Sequence, residues 1–395
     1  MQNTIRNRSK SKSKSKSKSI NNKSININLD RQFSQNNSIL PIELSDYIKS
    51  VYSKYKYIDY SVLDDLKSSF LKANDKFAAK FPLQIFHISN KGVILKTDKI
   101  NAGQTKNNIL LFKKTLDYAK KNNLPIPTTT MYLWVSDSHP YYLNNMDKKF
   151  PIMTYCTPSN MDYILFPDET FTCLYNFSTT NNCDFDYVKK MILDNIVSEK
   201  DKIDKIYFKG LPTTKHKGKL REDLEKISKD EESKLIVNLD SAKNYEPVYT
   251  WSRYKYLLNL PGLYPWSNRL KYLFLTKSLV INVDVSTIGK DYIDGPYMTL
   301  TNLLIKPNID YINIESSFNN KIRTDMHPTK KDLDIQFKEN RRVYNQIIKK
   351  TDKISPQKYR EIVESGFKKI NSINNETIYL YVYNLILANA KLIKA

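Results

Sequence analysis

Apolar residues recur along this chain in two rhythms, one at every third or fourth position and one at every second, and from residue 39 onward the two alternate. The stretch 43–74 has helical spacing, with Ser61 set before Val62 as an N-cap. Residues 82–97 read as a strand pair turning at Asn90-Lys91-Gly92. Residues 107–123 read as an amphipathic helix closed by asparagines, with Pro125 just beyond. The β-branched and aromatic run from Thr128 to Val135 predicts a strand that opens into a polar loop carrying Ser136, Asp137, Ser138 and His139. A shorter apolar strand follows at 151–157.

The alternation continues with a helix over 184–201, a strand over 204–210, a helix over 220–230 and a strand over 234–240. It goes on with an apolar stretch at 255–262, a helix over 267–277 and a strand over 278–284. This order predicts βαβ units and a largely parallel sheet in each half, hence an α/β protein. Three long helical patterns close the chain at 330–352, 355–372 and 375–395, the last strongly apolar. Residues 1–38 are Ser, Lys, Asn and Arg with few apolar side chains, so they bury too little surface to offset the entropy of ordering and are expected to form a disordered tail.

The length of 395 residues fits two domains and excludes a single small binding module. No uninterrupted apolar run reaches about 18 residues, which excludes a transmembrane helix. The basic N-terminus is not followed by a continuous apolar segment, so no signal peptide is expected and the chain reads as cytosolic. Cys156, Cys173 and Cys183 are odd in number and form no C-x-x-C pair, which argues against disulfides and structural zinc. Neither a dinucleotide fingerprint nor a P-loop occurs among the 8 glycines. The 63 Lys and Arg outnumber the 41 Asp and Glu, giving a net charge of +22, and eight tail cations account for part of the excess. That tail suits either a solvated arm or a polyanion contact through counterion release, and it carries no aromatic within its Ser-Lys run for base stacking.

Ligands of open α/β sheets bind at the carboxyl ends of strands, and three segments fall there. The loop after residue 208 brings Lys209, Gly210, Thr213, Thr214, Lys215, Lys217, Lys219 and Arg221 between a strand and a helix, the make-up of an anion cradle. The segment Asn259-Leu260-Pro261-Gly262 leads through Trp266 into a helix with Ser267 or Asn268 as cap and Arg269 in the first turn. A cation there opposes the helix dipole unless an anion lies between them. In the first loop Asp137 fits either a cap or turn residue at the strand end or a general base, and His139 could do the same proton-transfer work.

These three segments, in this order, resemble glycosyltransferase family 90, the group of Rumi-type protein O-glucosyltransferases and fungal capsule-associated xylosyltransferases. Ser136-Asp137-Ser138-His139-Pro140 echoes the family's R-D-x-P, and 158–171 echoes its block ending in P-x-W-T-F. Phe208-Lys209-Gly210, Thr213, Thr214, Arg221 and Leu224 follow its F-R-G-S-R-T-S-x-x-R-x-x-L. The strongest match is Lys255 to Val280, against K-Y-L-x-N-x-x-G-x-x-x-S-x-R-x-K-x-L-F-L-x-x-S-L-V. The resemblance implies a GT-B-like fold, two Rossmann-type halves facing a cleft with C-terminal helices packing back on the first half. It also implies inverting transfer from a UDP-sugar. Asp137 aligns with the catalytic base, Arg221 and Arg269 with the arginines on the diphosphate, and Trp266 and Ser267 fall beside the nucleotide. Three substitutions depart from the pattern: Ser136 replaces an arginine, Lys209 replaces the F-R-G arginine and so loses its bidentate fork, and Leu211 replaces a serine.

The expectation is therefore an enzyme that moves glucose or xylose from a UDP-sugar to a hydroxyl of a protein or glycan. It needs no permanently bound cofactor and no metal. The alternative is a non-catalytic polyanion-binding or virion-associated protein that keeps the fold, with weak nucleic-acid binding through the tail. The expected division is a tail at 1–38, an acceptor-side domain at 39–205, a nucleotide-sugar domain at 206–375 and a returning helix at 376–395. The Asn-, Ile- and Lys-rich composition suits an AT-rich genome, such as a large DNA virus, with the protein in the cytoplasm, a viral factory or the virion.

Overall fold

The computed structural model describes residues 40–55, 82–97, 102–135, 151–158, 163–172, 184–212, 219–230, 233–239, 246–262, 267–288, 293–294, 297–319 and 329–394. The basic tail, Ser61, Ser136, Asp137, His139, Cys173, Cys183, Thr213 and Trp266 lie outside them.

In chain order the elements are α1 (Ile42–Tyr52), β1 (Leu83–Ser89), β2 (Gly92–Leu95), α2 (Ala102–Lys121), β3 (Thr129–Trp134), β4 (Ile152–Thr154), β5 (Cys156–Pro158) and β6 (Ile164–Leu165). Then follow α3 (Phe185–Leu193), β7 (Ile203–Gly210), α4 (Leu220–Asp230), β8 (Leu235–Leu239), β9 (Tyr254–Asn259), α5 (Leu270–Leu275), β10 (Leu279–Ile288) and β11 (Ile293–Asp294). The chain ends with β12 (Tyr297–Thr299), α6 (Leu300–Leu304), β13 (Ile312–Asn319), α7 (Lys330–Asp352), α8 (Pro356–Asn371) and α9 (Asn375–Lys394).

The first sheet runs in the order β2-β1-β3-β4-β6. Its β1–β2 hairpin turns through Gly92 at φ 127°, a conformation open to glycine and costly for other residues. The sheet is mixed rather than largely parallel: β1 is antiparallel to both β2 and β3, while β3, β4 and β6 are parallel. The hairpin is the physical reason, because it folds β1 into the gap between β2 and β3 that α2 bridges. The apolar stretch expected as one strand divides at Tyr155; β4 stays in this sheet and β5 pairs antiparallel with β12.

The second sheet runs β8-β7-β9-β10-β13, all parallel, with β11 added antiparallel at the end of β10. Alternate residues serve two cores, as the pleat demands. Phe208, Leu258 and Ile281 bury with Leu224 of α4 and Val343 and Ile347 of α7. Tyr207, Leu257 and Val280 bury with Leu273 and Leu275 of α5. The chain leaves β7 through α4 toward β8 on one side and continues from β9 on the other, so the strand order reverses between β7 and β9. A crevice opens at such a reversal, outside the carboxyl ends of the strands.

Helix α9 returns to the first sheet. Its Tyr381 hydroxyl donates to the Leu165 carbonyl at 2.7 Å, Tyr383 to the Pro125 carbonyl at 2.7 Å, and Asn389 Nδ2 to the Thr130 carbonyl at 2.7 Å. It is apolar nearly all round because it is buried nearly all round, with Tyr381 to Tyr383 and Leu385 to Leu387 all inaccessible. No helix among the described residues is long and apolar enough to cross a membrane.

Candidate active site at the strand-order reversal

Arg221 lies in the first turn of α4 and is buried. One Nη donates to the Leu211 carbonyl at 2.7 Å, just past β7; the other donates to the Pro261 carbonyl at 2.6 Å, just past β9. One planar guanidinium thus spans the two strand ends that define the reversal. Its Nε is buried and has no hydrogen-bond partner among the described residues.

Arg269 approaches from the start of α5 and donates Nη1 to the Lys209 carbonyl. It occupies the N-cap position itself (φ −80°, ψ −16°), where Ser267 or Asn268 was expected, and no side chain caps the helix. The chain is in a turn at 268 and 269, with helical dihedrals at 269, and the helix is entered without a side-chain cap. The Ser267 carbonyl accepts from the Leu270 N–H at 3.4 Å.

The Phe208 ring organises both arginines. The guanidinium carbon of Arg221 lies 5.0 Å from its centroid and that of Arg269 5.4 Å, with Trp251 a further 5.6 Å from Arg269. Flat cations stack well on aromatic faces, and rings hold them without neutralising them. Gly210 makes room for this: a Cβ there would fall 2.9 Å from the Phe208 ring and 3.3 Å from Arg221 Nη1. Burial first, and the Arg269 charge second, pull the Arg221 guanidinium down to about 9, with Glu222 working against the shift. The two like charges repel each other, and an anion between them relieves that repulsion.

Lys209 joins the group through both its backbone and its side chain. Its carbonyl anchors Arg269, while its ammonium lies 3.7 Å from Glu246. Glu246 also accepts from Tyr207 at 2.6 Å, Thr250 at 2.8 Å and Arg253 at 2.9 Å. The structure therefore brings together Lys209, Gly210, Arg221 and Arg269, with Ser267 in the adjoining turn.

A polar row borders this group. Asn259, Asn282 and Asn313 stand in register across β9, β10 and β13. Asn259 Nδ2 donates to Asn282 Oδ1 at 2.6 Å, and Asn282 Nδ2 to Asp284 at 2.6 Å. Burial pushes the Asp284 carboxyl up to about 6, against the amide bonds from Asn313 and Asn282.

A model of glycosyl transferase family 90 matches residues 133–395, about two thirds of the chain. The chain belongs to glycosyl transferase family 90. Both arginines, the reversal and the returning helix α9 lie inside the matched span, and the family places a sugar donor and an acceptor among the chain's substrates. No curated protein matches the chain. For a family 90 chain, reasoning from motifs missed Trp251, which belongs to no motif block, and the pairing of Lys209 with Glu246. It named Phe208 only as part of a matched string; an aromatic at the strand end directly before the basic loop was the available signal.

Proposed function

We propose that this chain is a UDP-sugar-dependent, inverting glycosyltransferase of GT-B architecture, with the diphosphate seated at the β7–β9 reversal. The reading rests on one observation: two guanidiniums share the Phe208 ring at the strand ends, and the charge of one penalises the other. Such a pair suits a dianion.

The roles follow from charge flow. The acceptor hydroxyl gives its proton to Asp137 and its oxygen bonds the anomeric carbon from the face opposite the leaving group. The bond from that carbon to the phosphate oxygen breaks, and UDP departs with the electron pair. Arg221 and Arg269 donate to the oxygens on which negative charge grows, a stabilisation strongest in a site closed to water. Gly210 admits the backbone close to the phosphates; Ser267, and by the sequence reading Thr213 and Trp266, are assigned to the nucleotide. Lys209 acts chiefly by holding Arg269. The donor half is 206–375, the acceptor half 39–205 and the returning helix 376–395; glucose or xylose is the sugar, and the acceptor is a protein or glycan hydroxyl.

Turnover of UDP-glucose and UDP-xylose, followed by UDP release, tests this reading. Wild type releases UDP from at least one donor, with inverted product, while Asp137→Asn binds UDP and does not turn over. Release by Asp137→Asn at the wild-type rate would remove Asp137 from the base role.

A further inference from the structure

Helix α5, which opens with Arg269, is bolted at its first turn to the first sheet's side of the molecule. Lys271 is almost wholly buried, and its ammonium donates to both carboxylate oxygens of Asp168 at 3.0 and 2.9 Å and to Thr170 Oγ1 at 2.6 Å. The same ammonium donates to the Asn268 carbonyl at 2.8 Å and lies 4.3 Å from the Phe171 ring centroid. Beside it the Tyr272 hydroxyl donates to the Thr170 carbonyl. Asp168 is itself held by the N–H of Thr170 at 3.0 Å.

Asp168 stands three residues past β6, at the carboxyl edge of the parallel β3-β4-β6 part of the first sheet. Lys271 stands two residues past Arg269, at the carboxyl edge of the second. A cation in the first turn of a helix opposes the dipole, and burial draws the Lys271 ammonium below its usual value against the pull of Asp168. A buried ion pair is weak as a source of stability, since its desolvation cost offsets most of the attraction. What it does supply is a fixed distance and direction, and here it fixes the Asn268 peptide immediately before Arg269.

We propose that Lys271 and Asp168 are a positioning pair for the donor site: they tie the turn carrying Arg269 to the strand ends of the opposite sheet and so set where its guanidinium meets the diphosphate. This deepens the donor-site reading above and rests on it.

The pair is removable without a change in net charge. Lys271→Met with Asp168→Asn deletes one charge of each sign, and the asparagine oxygen keeps the bond to the Thr170 N–H. The double variant is expected to melt within about 5 °C of wild type. By calorimetry it binds UDP about 10- to 100-fold more weakly, the cost of a misplaced group. In the Arg269→Ala background the same two substitutions weaken UDP binding no further, because they act through Arg269. Amide exchange of residues 267–275 without ligand is faster in the double variant. Wild-type UDP affinity in the double variant, a loss that adds in full to that of Arg269→Ala, or unchanged exchange would each overturn the proposal. Absence of UDP binding by wild type would instead sink the donor-site reading, and exchange over 267–275 would then decide the role of the pair.

Discussion

Replacing Arg221 by methionine asks whether its charge is held for the fold or for a ligand. The guanidinium titrates at about 9 instead of the usual 12.5, which at about 1.4 kcal/mol per unit sets about 5 kcal/mol against the buried charge. Its bonds to the Leu211 and Pro261 carbonyls, 2.7 and 2.6 Å long, return about 1.5–3 kcal/mol each. The two sides nearly cancel, so Arg221→Met should shift unfolding stability by less than about 2 kcal/mol in either direction. UDP binding should behave otherwise. Loss of one or two charge-assisted bonds to phosphate weakens affinity by about 100-fold. Urea unfolding with and without UDP reads both effects at once: UDP at about 100 times the wild-type Kd stabilises wild type by about 2.7 kcal/mol and a variant with about 100-fold weaker affinity by only about 0.4 kcal/mol. A ligand-free loss above about 3 kcal/mol together with undiminished UDP stabilisation would show that Arg221 serves the fold alone.

Other expectations follow from single groups. Gly210→Ala drives a Cβ to 2.9 Å from the Phe208 ring; it should cost about 1–3 kcal/mol in stability and weaken UDP binding, both read from the same urea and titration series. Asp284 ionises in the unfolded chain near 3.8 but in the folded chain only at about 6. Its contribution is therefore favourable below pH 4, and stability falls by about 3 kcal/mol as pH rises from about 4 to 6. Asp284→Asn should flatten that slope in urea melts taken across this range. Deleting residues 1–38 should leave sugar transfer at the wild-type rate and reduce any salt-dependent retention on heparin or DNA.

Much of the second sheet was legible because its signals are local. Helix α7 spans the predicted 330–352 residue for residue, since Thr329 and Asp332 form a capping box that marks its start. The loops that carry Arg221 and Arg269 were placed correctly at strand ends, because a strand, a basic loop and a helix follow one another within a few residues. The rest depended on distance along the chain. The hairpin at Gly92 was visible, but nothing local told that β1 would insert between β2 and β3. The apolar run at 151–157 could not reveal that it divides between two sheets at Tyr155. The pairing of Lys209 with Glu246 was hidden because the two lie in different segments. The bond from Lys271 to Asp168 joins residues 103 apart, and each alone reads as a surface charge. Asp137, Thr213 and Trp266 rest on the sequence reading alone, being outside the described residues.

The central claim is that the β7–β9 reversal is a diphosphate site, and titration calorimetry with UDP and UMP on wild type, Arg269→Ala and Asp137→Asn tests it most directly. The account predicts that wild type and Asp137→Asn bind UDP alike, that UMP binds far more weakly because it lacks the second phosphate, and that Arg269→Ala loses the preference for UDP. Equal binding of UDP by wild type and Arg269→Ala, or no uridine nucleotide binding at all, would contradict it.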